Sequence, residues 1–195
     1  LPFLMKVLAA AQPLSVQAHP SLDQAREGFA RENERGIALD APTRVYRDAN
    51  HKPELICALT TFEAKCGFRD LAATRELIDA LTGGVVSGEL DGLRARIHEE
   101  GPPGDVLAAT LAWLLRATPA EAAHLVAGVA AGCAAVVDGP HARAVRWAER
   151  MAASHPHDPG VVVALLLNHV TLAPGEAVFL GAGNLHAYLR GAGVE

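Results

Sequence analysis

The chain opens with an apolar run, Leu1 to Ala11, whose one charge is Lys6, and after Gln12-Pro13 a second run, Leu14 to His19, alternates apolar and polar residues. Both patterns predict strands. In the second, alternation aims Gln17 and His19 at the same side of a sheet. Ser21 followed by Gln24 is a capping box, in which each side chain satisfies the other's backbone donor, so a short helix is predicted over about 21–34 and Gly36 should close it. Residues 37–50 contain Pro, Asp and Asn without any sustained period and read as a surface loop. The next stretch, His51 to Leu59, starts ionisable and becomes apolar, as a strand does where a sheet opens onto a cleft. Phe62 to Phe68 predicts another short strand.

From about Arg69 to His155 the pattern changes to helical spacing in a background of Ala, Leu, Glu and Arg. Leu71, Thr74, Leu77, Ile78 and Leu81 share one face, and Val106, Leu107, Leu111, Leu114 and Leu115 share another. Thr118-Pro119-Ala120-Glu121 supplies a cap, a first-turn proline and a capping-box glutamate for a third helix. Residues 142–153 predict a fourth. The Ala-rich stretch 127–135 reads as a close helix-packing surface. After Pro159 a short apolar helix, Val161 to Leu167, leads to the strand His169–Leu172, a turn at Ala173–Glu176 and the strand Ala177–Leu180. A second turn, Gly181–Asn184, delivers His186 and Tyr188 onto one face of a final strand that ends at Glu195. The order of elements predicts β residues at 1–67, a helical insertion at 68–155, and a return to β at 156–195.

Half of the 195 residues are hydrophobic and 20% are charged, which allows a substantial core. A net charge of −5 with no dense Lys/Arg run argues against nucleic acid or an anionic membrane as partner and leaves room for a small anionic ligand. Cys57, Cys66 and Cys133 form no Cys-x-x-Cys pair, so reduced thiols in a cytoplasmic setting are expected. The opening run is too short to span a bilayer and has no basic leader. It also has no initiator Met, and an apolar strand at residue 1 has nothing ahead of it to cover it. The sequence is therefore expected to be an internal piece of a larger protein. His98, His124, His141, His155 and His157 lack paired ligand spacing and are assigned no chemistry.

Several motifs in fixed order carry a resemblance to a known family. They are Leu1-Pro2-Phe3-Leu4-x-Lys6, Gln12-Pro13-Leu14-Ser15-x-Gln17-x-His19-Pro20, Asn50-His51-Lys52-Pro53-Glu54, and His186-Ala187-Tyr188-Leu189 with Gly191 and Glu195. In this order, with a helical block between the third and fourth, the chain resembles type I mannose-6-phosphate isomerase over nearly its whole length. Gly175, followed by Gly183-x-x-His186, is also similar to the second motif of the cupin superfamily, to which that family belongs. Gly181 stands where the cupin pattern normally has proline, a change that loosens the unfolded turn without removing a ligand.

The resemblance implies a cupin-type β jelly roll interrupted by an α-helical domain, a mainly β fold with an α insertion. It implies a Zn2+ site made by Gln17, His19, Glu54 and His186. Two imidazoles and a carboxylate are ordinary zinc ligands, and the weaker amide oxygen would leave the ion Lewis acidic, as a catalytic site requires. The implied reaction interconverts mannose 6-phosphate and fructose 6-phosphate through an enediol, and the partner is a small sugar phosphate. Lys52 and Glu195 are candidates for the proton transfer, with Lys52 equally suited to orienting Glu54 or binding sugar hydroxyls. Lys6 and Ser15 match positions that the family uses for the phosphate, although a lysine in an apolar strand also guards a sheet edge. Tyr188 lines the sugar pocket or packs. The family continues beyond Glu195 into a segment with an essential arginine, so weak or no turnover is expected of these 195 residues alone. The rival readings are another metal-dependent cupin, either an iron oxygenase or a sugar epimerase, and a sugar-binding cupin without catalysis.

Overall fold

The computed structural model describes residues 4–83 and 88–195. Leu1, Pro2 and Phe3 of the opening motif lie outside the described residues. The elements fall into two compact units, residues 1–66 with 170–195, and residues 67–169. Residues 156–169 thus go with the helices rather than with the returning β segment.

The first unit is built on an antiparallel sheet. Its central strand is β6 (His186–Val194). On one side of β6 lies β2 (Glu54–Ala58), with Cys57 opposite Val194. Beyond β2 lies β5 (Ala177–Leu180), with Glu54 opposite Leu180. The strand β3 (Phe62–Phe68) continues along the same edge of β6, with Cys66 opposite His186 and Glu63 opposite Arg190, and between the two pairings Leu59 N donates to the Ala192 carbonyl oxygen. The opposite edge is taken from Gly191 onward by β1 (Val7–Ala10), with Ala10 opposite Gly191 and Val7 opposite Val194. Near the change from β2 to β3 the register shifts between Glu63 and Ala64, and Gly191 adopts φ +128°. A Cβ at Gly191 would stand 2.7 Å from the Thr61 carbonyl oxygen and 2.8 Å from Phe62, so only glycine fits. The strand β4 (Leu167–Leu172) flanks β3 at the end of the sheet.

Period-two alternation decides what this unit buries. Ile56, Ala58, Phe62, Ala64, Leu172, Leu180 and Tyr188 form one apolar cluster, joined by the partly buried Leu8, Cys66, Val170 and Val178. Glu54 belongs to the same alternating set as Ile56 and Ala58. A carboxylate is thereby aimed inward at the open end of a hydrophobic strand.

Leu14–His19 departs from the predicted strand. It runs beside β6 but joins it only through Leu14 N to Tyr188 O (2.9 Å) and a single bridge between Gln17 and His186. Three residues on one side match two on the other, so the ladder cannot continue, and prolines at 13 and 20 withhold a donor at each end. The helix α1 (Leu22–Glu34) follows with the expected box, Gln24 N to Ser21 Oγ at 3.3 Å and Ser21 N to Gln24 Oε1 at 2.9 Å.

The second unit is helical: α2 (Leu71–Thr82), α3 (Asp91–Ile97), α4 (Pro103–Leu114), α5 (Pro119–Cys133), α6 (Ala142–Ser154) and α7 (Gly160–Val163), the last continuing as a 3-10 turn at Ala164–Leu166. All five residues predicted for the α2 face are buried. On α4 the buried set is Val106, Leu107, Thr110 and Leu114, whereas Leu115 caps the helix and is exposed. The short α3 had no sequence signal long enough to show a period. In α5 the small residues allow close approach: a Cβ on Gly132 would collide with the Leu81 carbonyl. The capping box at Thr118 and Glu121 is present. Among the described residues helices outweigh strands, so the fold is mixed rather than mainly β, and no helix is long and apolar enough to cross a membrane.

Candidate metal centre

Three side chains from separate stretches converge at the inner end of the sheet. His186, the first residue of β6, is fixed on both sides, opposite Cys66 in β3 and opposite Gln17, with which it exchanges backbone hydrogen bonds of 2.8 and 2.9 Å. Its Nδ1 lies 3.0 Å from the Asn184 carbonyl oxygen, which fixes Nδ1 as the donor and turns Nε2 toward Glu54. Glu54 is held by the β2–β5 ladder. His19 is held by its own carbonyl, which accepts from Gly183 N at 2.8 Å.

His19 Nε2 stands 3.0 Å from Glu54 Oε1, and His186 Nε2 stands 3.1 Å from Glu54 Oε2. The two rings are 5.4 Å apart and inclined at 55°. One ligand atom from each residue falls within 4.8 Å of the others. The side chains of Glu54 and His186 are nearly buried, at 9% and 3% exposure. With Nδ1 of His186 protonated, its Nε2 lone pair faces a carboxylate oxygen, an arrangement that calls for a proton or a cation between them. Two imidazoles and a carboxylate around one point suit a divalent metal, and zinc in particular.

The electrostatics are divided around Glu54. Burial by itself would raise its carboxyl, but hydrogen bonds from His186 and Lys52 outweigh this and hold it at about 2. Burial pushes His19 below its ordinary value. It acts in the same sense on His186, where the Glu54 and Asn184 hydrogen bonds overcome it and leave that imidazole raised. The carboxylate is therefore ionised throughout the physiological range.

Of the expected ligands, His19, Glu54 and His186 meet directly. Gln17 is exposed, and its backbone is fixed opposite His186. Lys52 joins the cluster, with Nζ 2.7 Å from Glu54 Oε1 and 3.4 Å from His19 Nε2. A second group lies further along: Lys6 Nζ is 2.6 Å from Glu195 Oε2, and their backbones exchange bonds of 2.8 and 2.9 Å. Lys6 is raised chiefly by its hydrogen bond to Glu195, with a smaller contribution of the same sign from Glu54. Tyr188 is buried, its ring 5.8 Å from that of His186 and edge-on to Phe62 at 5.3 Å. Burial first, then the charges of Glu195 and Glu54, raise its phenol well above the ordinary range. Ser15 is exposed on the segment ahead of Gln17. The Asn184 carbonyl that orients His186 was not foreseen from the sequence; its signal was the Gly183-Asn184 turn two residues ahead of a ligand histidine.

Known proteins resemble this chain in sequence and in fold. A family profile described as phosphomannose isomerase type I, catalytic domain, matches residues 1–71. The mannose-6-phosphate isomerase of Escherichia coli (strain K12) is 38% identical over 195 residues, all of this chain and 47% of that protein. The chain resembles type I mannose-6-phosphate isomerase throughout its length. The enzyme of Salmonella typhimurium is 40% identical over 198 residues, again 47% of its length, and mannose-6-phosphate isomerase 1 of Arabidopsis thaliana is 33% identical over 205 residues, 44% of its length. A crystal structure of zinc-bound mannose 6-phosphate isomerase superposes with a TM-score of 0.80 at 36% identity, covering 97% of this chain and 46% of that one. The Salmonella typhimurium enzyme bound to fructose 6-phosphate and zinc matches with the same TM-score and coverage. This chain thus spans about half the length of the mannose-6-phosphate isomerases it matches.

Proposed function

We propose that this chain carries the zinc centre of a mannose-6-phosphate isomerase that interconverts mannose 6-phosphate and fructose 6-phosphate, acting in the cytoplasm. The observation that carries the reading is the Glu54 carboxylate clasped between His19 Nε2 and His186 Nε2, with Lys52 at 2.7 Å. Relatives of similar sequence are named for that activity, and one is bound to zinc and fructose 6-phosphate. The inward-facing alternation of the sheet around this centre supports a cupin-type β jelly roll interrupted by the helical unit.

The ligand set is His19, Glu54 and His186, with the Gln17 amide oxygen as the fourth. Zinc bound by these residues would supply Lewis-acid stabilisation, on the order of several kcal/mol, of negative charge on the sugar oxygens at C1 and C2. The chain's own groups do the remainder. Lys52, beside Glu54, is placed to donate to a sugar oxygen or to exchange the proton between C1 and C2. Glu195 is the second candidate for that exchange. Tyr188, buried beside His186 and under the charges of Glu195 and Glu54, would line the sugar pocket. Lys6, half exposed, can turn from Glu195 to the substrate phosphate, with the Ser15 hydroxyl as a further donor. A phosphate would take the place of the Glu195 carboxylate as the partner of Lys6 and leave that carboxylate free at the sugar end.

Metal analysis and a mannose 6-phosphate assay test the reading, applied to this chain and to any longer polypeptide that carries it. One zinc per chain is expected, together with fructose 6-phosphate formation that chelation and Glu54→Gln both abolish. Sugar-phosphate binding without isomerisation in every form would make the protein a binding module instead. Tight iron with oxygen consumption would make it an oxygenase.

A further inference from the structure

Of the candidate zinc ligands, Glu54 and His186 are fixed by strand pairing and His19 by its carbonyl bond to Gly183 N, whereas Lys52 has no backbone pairing of that kind. It precedes β2 and belongs to a stretch, residues 37–53, with no helix or strand. A lysine on an unpaired loop samples many positions unless something else restrains the loop. The restraint is a buried ion pair far from the metal ligands in sequence. Arg44, with its side chain fully buried, directs Nε at the Tyr46 carbonyl oxygen (2.6 Å) and at Glu32 Oε2 (3.0 Å). Its terminal nitrogens donate to the Ile37 carbonyl oxygen (2.6 Å) and to Asn33 Oδ1 (2.8 Å). Glu32, on α1, accepts in turn from Val45 N at 3.2 Å and Tyr46 N at 2.9 Å. The Arg44 guanidinium lies over the Phe29 ring at 5.0 Å.

The Tyr46 ring rests on α1 where Gly28 leaves room; a Cβ there would come within 2.5 Å of it. The loop backbone at 44–46 is thereby bonded to α1 through the Glu32 carboxylate, six residues ahead of Lys52. The same helix begins two residues after His19, at its Ser21 cap. One small closed assembly therefore connects the segment that supplies His19 to the segment that supplies Lys52, whose Nζ and Nε2 atoms stand 3.4 Å apart.

We infer that the Glu32–Arg44 pair is a positioning device for Lys52, clamping the loop between α1 and β2 so that the ammonium is presented at Glu54 and His19. The inference rests on the isomerase reading for what Lys52 does, but not for where it is held. Charge matters to the clamp, because a buried pair broken on one side leaves the other charge without a partner.

The chain contains only three lysines, Lys6, Lys52 and Lys65, so the position of Lys52 can be followed by amine acetylation of the zinc-loaded protein and peptide mass spectrometry. Arg44→Ala should raise the labelling of Lys52 several-fold relative to Lys6 while zinc affinity, measured against a competing chelator, stays nearly constant. Arg44→Lys, which keeps the charge but not the fork of donors, should restore the protection only in part. Glu32→Gln, which keeps the shape of the side chain, serves where Arg44→Ala fails to fold, and should release Lys52 in the same way. In a form that turns over, each releasing variant should lower kcat by up to about 100-fold with little change in KM, the cost of misplacing a reacting group by about 1 Å. Unchanged Lys52 labelling in both variants overturns the inference. So does a parallel fall in zinc affinity, which would make the pair a general support of the sheet. Absence of turnover in every form defeats the isomerase reading and leaves the labelling result standing.

Discussion

The two units handle charge in opposite ways. In the helical unit the buried side chains are mainly Leu, Val, Ala and Ile, with Trp147, Met151 and Cys133; Thr74 and Thr110 return their hydroxyls to carbonyls four residues back, and the ion pair Arg94–Asp79 is partly exposed. In the sheet unit a carboxylate, two imidazoles and a phenol point inward among aliphatic side chains. Stability alone favours the first arrangement, since taking charge out of water costs several kcal/mol per ion. The concentration of inward polarity in the sheet unit coincides with the group of side chains that could hold a metal ion.

The sharpest way to break the contrast is to remove the anion at its centre. Glu54→Ala should weaken zinc binding by more than about 100-fold, beyond the loss typical of a residue that only orients a ligand, and leave the helical circular-dichroism signal intact. Chelator competition measures it. The converse experiment is in the helical unit, where Leu114, wholly buried, should cost about 2–5 kcal/mol when cut to Ala, with zinc affinity unchanged. Denaturant unfolding followed by metal titration reads both quantities.

Much of the sheet was legible in the sequence, because the run from ionisable His51 to apolar Leu59 and the stretch Phe62–Phe68 both read as strands, although the polar position Lys65 is buried rather than exposed. The segment Leu14–His19 alternates and yet forms no strand, since the mismatch with β6 and the flanking prolines are properties of pairing rather than of its own pattern. The three ligands that meet were visible only through their resemblance to family motifs; no spacing within 195 residues relates positions 19, 54 and 186. The Arg44 pair left no trace, because Glu32 lies on α1 while Arg44 sits on a loop without period, and no motif relates the two. Leu115 misled by matching the apolar stripe of α4 at the position where the helix ends.

The smallest effect concerns the helical unit's partly exposed pair. Burial tends to raise the Asp79 carboxyl, but the Arg94 hydrogen bond and then His98 more than offset it and hold it below its ordinary value of 3.8. A depressed folded value means that the unfolded chain takes up the proton first. The stabilisation is therefore present above the unfolded value and lost as pH falls through the folded one. Asp79→Asn should flatten the acid limb of the stability profile slightly, as befits a pair open to solvent. Thermal midpoints taken between neutral pH and pH 3 measure it.

Zinc-edge X-ray absorption on the loaded protein reads whether one cation sits where His19, Glu54 and His186 converge. A shell of nitrogen and oxygen only is expected, at about 2.0–2.2 Å, with imidazole scattering from two histidines, diminished when His186 is replaced by Ala. A sulfur shell at about 2.3 Å, implicating Cys57 or Cys66, or a shell unaltered by His186→Ala, would contradict it.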